Sequence, residues 1–204
     1  MTSIASSVFY GCSNLSSINL PSWISSINSY TFTNCSSLSS ITIPNKVTTI
    51  GDLAFYGCSS LKSIIIPKKV VHIGDYAFNA CRGLKSVTVY RSFPLQIKNE
   101  DFKTHNEKSG FYENTEAFLY VPLGSKTRYE ESNGWMDFKE IIEIPFGDAN
   151  NDGRIDLNDI DVVKKYIMKE NTEDINIFNA DTNGDKEINA ADLVEIINKI
   201  QIAK

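Results

Sequence analysis

From Asp148 to Asp159 the sequence reads DANNDGRIDLND, with oxygen-bearing side chains at its first, third, fifth, ninth and twelfth positions: Asp148, Asn150, Asp152, Asp156 and Asp159. The sixth position is Gly153, and the seventh, Arg154, offers a main-chain carbonyl. Alternate residues of a tight loop can aim their oxygens at one point, and a hard cation that takes roughly six to eight oxygen ligands suits that point. Calcium is such a cation, and the glycine permits the turn. A second copy, DTNGDKEINAAD, places Asp181, Asn183, Asp185, Asn189 and Asp192 at the same positions, with the carbonyl of Glu187 at the seventh. Here glycine stands at position 4 (Gly184) and Lys186 at position 6. The expectation is two calcium ions per chain; the competing reading is a pair of polar turns without metal.

Four carboxylates at the side-chain ligand positions of the first loop and three at those of the second repel one another. A bound cation offsets that repulsion in the folded state only, so metal binding is expected to be coupled to folding of this end of the chain. The elements that must hold the loops are amphipathic helices. One follows the first loop, with Ile160, Val163 and Ile167 on one face; the other follows the second loop, with Leu193, Ile196, Ile197 and Ile200 on one face. Two such loop-helix units in succession can close on each other by those faces.

Two features separate this pair from ordinary EF-hands. Position 12 is Asp in both loops where the EF-hand has a bidentate Glu, and the first loop follows IEIPFG, whose Pro145 and Gly147 cannot continue an entering helix. In these respects residues 147 to about 202 resemble a type I dockerin, a duplicated calcium-loop module of anaerobic bacteria that plugs into a cohesin domain. The resemblance implies a cohesin-like partner, chosen largely through loop positions 10 and 11. Here those are Leu157 with Asn158, and Ala190 with Ala191, rather than the Ser-Thr pair of well-known cellulosomal modules.

The first half of the chain counts in twenty-threes. Phe9, Phe32, Phe55 and Phe78 form one column; Cys12, Cys35, Cys58 and Cys81 another; Leu15, Leu38, Leu61 and Leu84 a third. Ile18, Ile41, Ile64 and Val87 follow in phase, as do Leu20, Ile43, Ile66 and Val89, then Pro21, Pro44 and Pro67, and finally Ile4, Ile27, Ile50 and Ile73. Each unit reads L-x-x-I-x-I-P: a short alternating strand closed by proline, a polar turn, and a second short apolar step. Such strands are too short to stand alone, but stacked copies pair with one another and bury each column on itself. A solenoid with short parallel strands is predicted, joined to a small all-α calcium-loop domain.

Stretches such as IGDLAFYGCSSLKSIIIP (50–67) and IGDYAFNACRGLKSVTV (73–89) resemble leucine-rich repeats of the BspA-like type, found in surface and secreted proteins. AFLYVPLGSKTRYEESNGWMDFKEIIEI (117–144) is similar to the terminal unit after such repeats, with a strand ending at Pro122, a short helix begun near Ser125 and a closing strand around Ile141, Ile142 and Ile144. The expected domains are therefore 1–145, with repeats to about 92 and a cap from about 93, and 147–204. The sequence opens in mid-repeat at Ile4, so upstream repeats are expected to be missing from it.

Periodic cysteines all point the same way into a solenoid core, which predicts a ladder of free, buried thiols over the alternative of a bridge between neighbours. No nucleophile and base can be paired. His72 takes a column held elsewhere by Ser26 and Thr49, which makes it solvent-facing, and His105 lies in the polar stretch KTHNEKSG. Glu130, Glu131 and Asp137 read as a solvated helix face rather than a glycosidase pair, and the Phe columns as core. Outward strand positions are expected to be Ser17, Ser40, Ser63 and Ser86, with Asn19, Thr42, Ile65 and Thr88, a surface without Trp, Tyr or Arg.

Net charge is −5, but residues 147–204 hold thirteen acids against seven bases and residues 1–146 twelve against thirteen. An acidic tail argues against nucleic acid and suits a divalent cation. No apolar run is long enough to span a membrane, and the N-terminus lacks signal-peptide features. The expected function is a non-enzymatic, extracellular or cell-surface binding protein, its repeats facing a host protein or glycan and its tail docking to a cohesin. Two alternatives stay open: a non-catalytic part of a polysaccharide-degrading assembly, and a tail that is a structural calcium module only.

Overall fold

The computed structural model describes residues 3–95, 116–170, 173 and 175–202, which form two compact units, Met1–Ile142 and Glu143–Lys204. The predicted site residues and repeat columns lie within the described residues; His105 lies outside them.

The first unit is a solenoid whose ladders follow the offset of the repeat columns. Strands β1 (Ser3–Ile4), β3 (Ser26–Ile27), β5 (Thr49–Ile50) and β7 (His72–Ile73) pair in parallel, with Ile4 opposite Ile27, Ile27 opposite Ile50 and Ile50 opposite Ile73. Strands β2 (Ser17–Ile18) and β4 (Ser40–Ile41) form a second ladder, and β6 (Ser63–Ile66), β8 (Ser86–Val89), β9 (Phe118–Pro122) and β10 (Glu140–Ile144) a third, in the order β10-β9-β8-β6. Two-residue strands hold only because each is one rung of a stack. Beneath them the phenylalanines lie ring on ring, with centroids 5.3 Å apart for Phe9 and Phe32, 5.3 Å for Phe32 and Phe55, and 5.1 Å for Phe55 and Phe78. Burying one such side chain contributes about 1.5 to 3 kcal/mol.

Each coil also repeats two left-handed residues four positions apart. The first column is Ser7, Tyr30, Leu53 and Tyr76; the second is Gly11, Asn34, Gly57 and Ala80. The turn between them is closed by hydrogen bonds from the tenth residue to the seventh, as in Tyr10 N–H to Ser7 O (3.0 Å) and Tyr56 N–H to Leu53 O (3.1 Å).

The cysteine ladder is free of disulfides, as expected. Its thiols donate to the phenylalanine carbonyl of the coil before: Cys35 to Phe9 (3.1 Å), Cys58 to Phe32 (3.2 Å) and Cys81 to Phe55 (3.1 Å). One member differs from the expectation. Cys12, in the first coil, is exposed, whereas Cys35, Cys58 and Cys81 are each covered by the coil before them. Burial pushes the Cys35 thiol up to about 11 and the Cys58 thiol higher still, the latter chiefly through its hydrogen bond with Cys81. A thiol reagent at neutral pH is therefore expected to label one cysteine, Cys12, in the native protein and four after denaturation without reductant. Fast native labelling of Cys58 would contradict the ladder.

The cap extends the third ladder. Ser86, Val87 and Thr88 pair with Phe118, Leu119 and Tyr120, an offset of 32 rather than 23. This corrects one outward position: Thr88 is buried at 6% exposure, because its strand is flanked by Ile65 on one side and Tyr120 on the other. A short helix α1 (Lys126–Glu130), begun after Ser125, brings Tyr129 under the strands, where its hydroxyl donates to Arg91 O (2.9 Å). Trp135 stands edge-on to Tyr129 and donates through Nε1 to Leu95 O (2.9 Å). Glu130, Glu131 and Asp137 are exposed, and Glu130 pairs with Lys126 at 3.8 Å.

The second unit is helical. Helices α2 (Leu157–Ile167), α3 (Ile177–Ala180) and α4 (Ala190–Ile202) enclose a small core of Ala149, Ile160, Val163, Ala180 and Ile196, with Ile155, Ile188, Leu193, Ile197 and Ile200 packed against it. The predicted faces of α2 and α4 pack as expected except at Ile167. That residue ends α2, projects past the packed stretch and is 38% exposed.

Candidate metal centre

Both loops are built on the same hydrogen-bond frame. In the first, the two carboxylate oxygens of Asp148 accept from the N–H groups of Asp152 (3.0 Å) and Gly153 (2.9 Å). In the second, those of Asp181 accept from Asp185 (3.2 Å) and Lys186 (2.9 Å), and one also from Gly184 (2.7 Å). Position 3 ties to position 5 in each: Asn150 Oδ1 accepts from Asp152 N–H (3.0 Å) and Asn183 Oδ1 from Asp185 N–H (3.0 Å). The seventh residues, Arg154 and Glu187, donate their N–H to the carboxylates of Asp152 and Asp185, each at 2.9 Å. Position 6 is left-handed in both loops, and so is position 4. Gly153 (φ 86°) and Asn151 (φ 60°) serve the first loop, Lys186 (φ 66°) and Gly184 (φ 82°) the second. The displaced glycine therefore leaves the backbone path unchanged, and Lys186 carries the strain that Gly153 avoids.

The last residue of each loop joins the loop to its helix. Asp159 accepts from Asn150 N–H (3.1 Å) and from Asp156 N–H (2.8 Å), completing a capping box at the start of α2. Asp192 accepts from Asn189 N–H (3.1 Å), Thr182 N–H (2.9 Å) and Asn183 Nδ2 (2.9 Å). The ninth residues cap the helices: Asp156 accepts from Asn158 N–H and Asn189 from Ala191 N–H, both at 2.8 Å. Positions 10 and 11, Leu157, Asn158, Ala190 and Ala191, are all exposed at the helix starts.

First and last positions are buried in both loops, namely Asp148, Asp159, Asp181 and Asp192. Burial pushes the carboxyls of Asp159 and Asp181 above the ordinary carboxylate range and that of Asp192 up to about 6. For Asp192 the neighbouring acids Asp181 and Asp185 push the same way, against the N–H groups of Asn189 and Thr182. Among the described residues no three His, Cys, Asp or Glu side chains form a metal-holding group by themselves. The loops' remaining oxygens belong to Asn side chains and main-chain carbonyls. A buried, amide-oriented set of hard oxygens with raised carboxyl pKa values fits calcium: a divalent cation supplies the charge these sites lack, and oxygen lone pairs remain beyond those taken by the N–H groups.

Two groups of residues escaped the sequence reading. Thr182, at position 2, donates through both its N–H and its hydroxyl to Asp192. Asn176 and Asn179, flanking or within α3, donate through their side-chain amides to Asn151 Oδ1 at 3.1 and 3.4 Å, and Gly147 and Asn176 donate main-chain bonds to Asn179 and Ala149. An Asn-rich segment is a weak signal, since Asn also fills ordinary turns.

One chain thus joins a stacked parallel-strand solenoid to a duplicated oxygen-ligand loop module. The chain belongs to the BspA type leucine rich repeat family, whose model matches residues 1–115 in six copies, and residues 146–201 match the dockerin type I domain. Type I dockerin domains bind calcium, and both matched modules are non-catalytic. No curated protein matches the chain. Among solved structures it is similar to the pneumococcal vaccine antigen PcpA, with 25% identity and a TM-score of 0.51 over 70% of this chain and 39% of that one. It is also similar to a leucine-rich repeat protein from Bacteroides ovatus (25%, TM-score 0.35, 60% and 44% of the two chains) and to the T. pallidum leucine rich repeat protein (22%, TM-score 0.42, 84% and 78%). The chain thus spans less than half of the first two. Among the described residues no helix is long and apolar enough to cross a membrane.

Proposed function

We propose that this is a non-enzymatic, extracellular or cell-surface scaffold protein in which residues 1–145 present a binding surface and residues 147–204 dock, when calcium is bound, onto a cohesin-like partner. The observation that carries this reading is the shared frame of the two loops, which buries positions 1 and 12 and leaves Leu157, Asn158, Ala190 and Ala191 exposed at two equivalent helix starts. Asp148, Asn150, Asp152, Asp156, Asp159 and the carbonyl of Arg154 would hold one ion, and Asp181, Asn183, Asp185, Asn189, Asp192 and the carbonyl of Glu187 the other. A bound ion supplies positive charge between the carboxylates. The chain's own contribution is to fix the frame that joins each loop to its helix, so that α2 and α4 present their first turns rigidly. Leu157 is 68% exposed. It is the apolar anchor of that surface.

Calorimetric titration of the full chain with a panel of type I cohesins, in calcium and in EGTA, tests the reading. Binding in calcium, abolished by EGTA and weakened at least about tenfold by Leu157→Asp, is expected. Absence of binding to every cohesin, with two calcium ions bound, would leave the tail a structural calcium module and refute docking.

The raised carboxyl of Asp192 gives the second loop a pH dependence with two opposite signs. In the ion-free module a carboxyl with a raised pKa holds its proton more tightly folded than unfolded. It therefore favours folding at low pH, and that contribution is lost as pH rises through about 6. Calcium requires the carboxylate, so its affinity is expected to fall as pH drops below about 6, by up to about tenfold per pH unit for a single proton displaced. Calcium titrations between about pH 5 and 7.5, read by calorimetry, would show this as a weakening of calcium binding at the acid end of the range.

A further inference from the structure

The tyrosines of the solenoid are not spread at random over its surface. Each of the four coils places one tyrosine on the same turn: Tyr10, Tyr30, Tyr56 and Tyr76. They alternate between two columns, seven and ten in coil numbering, and the i to i+3 hydrogen bond that closes every turn brings those columns side by side (Thr33 N–H to Tyr30 O, 3.3 Å; Asn79 N–H to Tyr76 O, 3.1 Å). Tyr10 is 57% exposed and Tyr30 42%, while Tyr56 and Tyr76 are half-buried. The four positions therefore form a zigzag along the solenoid, advancing one coil per tyrosine. Over the same coils the stacked phenylalanine rings are 5.1 to 5.3 Å apart from centroid to centroid, on the scale of one coil step.

Two further observations point to a ligand. Tyr30 (φ 61°) and Tyr76 (φ 57°) hold the left-handed conformation. That backbone is costly for a bulky side chain. Glycine or asparagine would adopt it freely, as they do at Gly11, Asn34 and Gly57. Folding alone does not call for tyrosine there. Residues 5–14, 28–37, 51–60 and 74–83, which make up the turn in the four coils, contain only three charged groups: Asp52, Asp75 and Arg82. The rest of the polar surface is Ser, Thr and Asn. Aromatic faces set among hydroxyls, amides and a few carboxylates complement the C–H faces and hydroxyls of sugar rings, and so few cations disfavour a polyanion. A ligand that repeats suits a platform that repeats. One coil step is about the length of one pyranose in an extended β-linked chain, and two steps, the spacing of Tyr10 from Tyr56 and of Tyr30 from Tyr76, match its disaccharide period.

We infer that the tyrosine zigzag Tyr10-Tyr30-Tyr56-Tyr76 is a binding platform for a neutral, extended β-linked polysaccharide, an inference that rests on the scaffold role proposed for residues 1–145. The test is native gel electrophoresis of the full chain in calcium, with and without hydroxyethylcellulose in the gel. The unaltered protein is expected to be retarded. The pair Tyr30→Asn and Tyr76→Asn, whose new residues accept the left-handed backbone and so keep the fold, is expected to lose about tenfold or more in affinity. The pair Tyr10→Phe and Tyr56→Phe keeps its rings and should bind within about twofold of the original. Unchanged mobility of the unaltered protein, equal retardation of the Asn pair, or retardation only by dextran sulfate would overturn the inference. Cohesin capture on the same preparation separates the two readings. Capture without retardation refutes the platform alone, and retardation without capture supports the platform while refuting docking.

Discussion

Adding EGTA to the full chain is expected to melt residues 147–204 and leave the solenoid folded. The module has five buried apolar residues as its core, so its packing energy is small for a unit of this length. Against that stand four buried carboxyl groups at the two ends of its two loops. The hydrogen bonds they accept orient them without neutralising them. A ligand present at about a thousand times its dissociation constant adds about 4 kcal/mol per site to the folded state, which is on the scale of the whole stability of a small domain. Removal of two such ions should therefore unfold the module rather than merely loosen it. The solenoid draws on a separate core, with its own stacked Phe, Leu and Ile columns and no part in either loop. Differential scanning calorimetry should show two transitions in calcium and one in EGTA, with the helical circular dichroism lost in parallel. Asp148→Ala and Asp192→Ala should each reproduce part of the loss in calcium by disabling one loop. A calorimetric trace identical with and without chelator would overturn the coupling of metal to folding.

The solenoid's ladders were legible in the sequence because a stack of identical coils turns a sequence offset directly into a strand register. Ile4, Ile27, Ile50 and Ile73 stand opposite one another at the spacing at which they recur. Legibility failed where pairing left that period. Thr88 reads as outward from the column Asn19, Thr42 and Ile65, yet strand β9 arrives from an offset of 32 and covers it. The exposed Cys12 is the same lesson at the other end, since its column predicts burial and only the preceding coil provides it. In the second unit the ligand spacing and both long helices were readable from oxygen positions and apolar period. Helix α3 was not: four residues, Ile177–Ala180, are too few to show a period, and two of them, Ile177 and Phe178, are exposed. The left-handed columns were hidden for a different reason. Tyr, Leu, Ser and Ala occupy them in places, so the glycine that announces such a backbone is absent from most of the positions.

Gly74→Ala is expected to destabilise the solenoid by about 3 kcal/mol, while Ala80→Gly, a few residues on in the same turn, should stabilise it by up to about 1 kcal/mol. The opposite signs follow from two distinct demands on one coil. Gly74 lies outside the left-handed region, so its backbone suits any residue, but a Cβ there would stand 2.5 Å from Asp52 N and 2.7 Å from the carbonyl carbon of Gly51. Those are main-chain atoms of the preceding coil. They cannot swing aside as a side chain would, and Gly74 N–H is tied to Ile50 O at 2.8 Å, which fixes how closely the coils approach. Gly51 meets the same crowding against Ser29 N at 2.5 Å, so the contact recurs from coil to coil and relief at one level would have to spread to the next. Ala80 presents the reverse case: its φ of 58° is costly for a side chain with a Cβ, and glycine already fills that column at Gly11 and Gly57. Part of the relief is offset by the greater freedom of glycine in the unfolded chain, which keeps the gain small. Both variants are best measured in EGTA, where the remaining transition belongs to the solenoid. Gly74→Ala should lower its midpoint by on the order of 10 °C. An unchanged midpoint would mean that neighbouring coils separate at little cost, and the register that positions every surface column, the tyrosines included, would then rest on side-chain stacking rather than on main-chain contact.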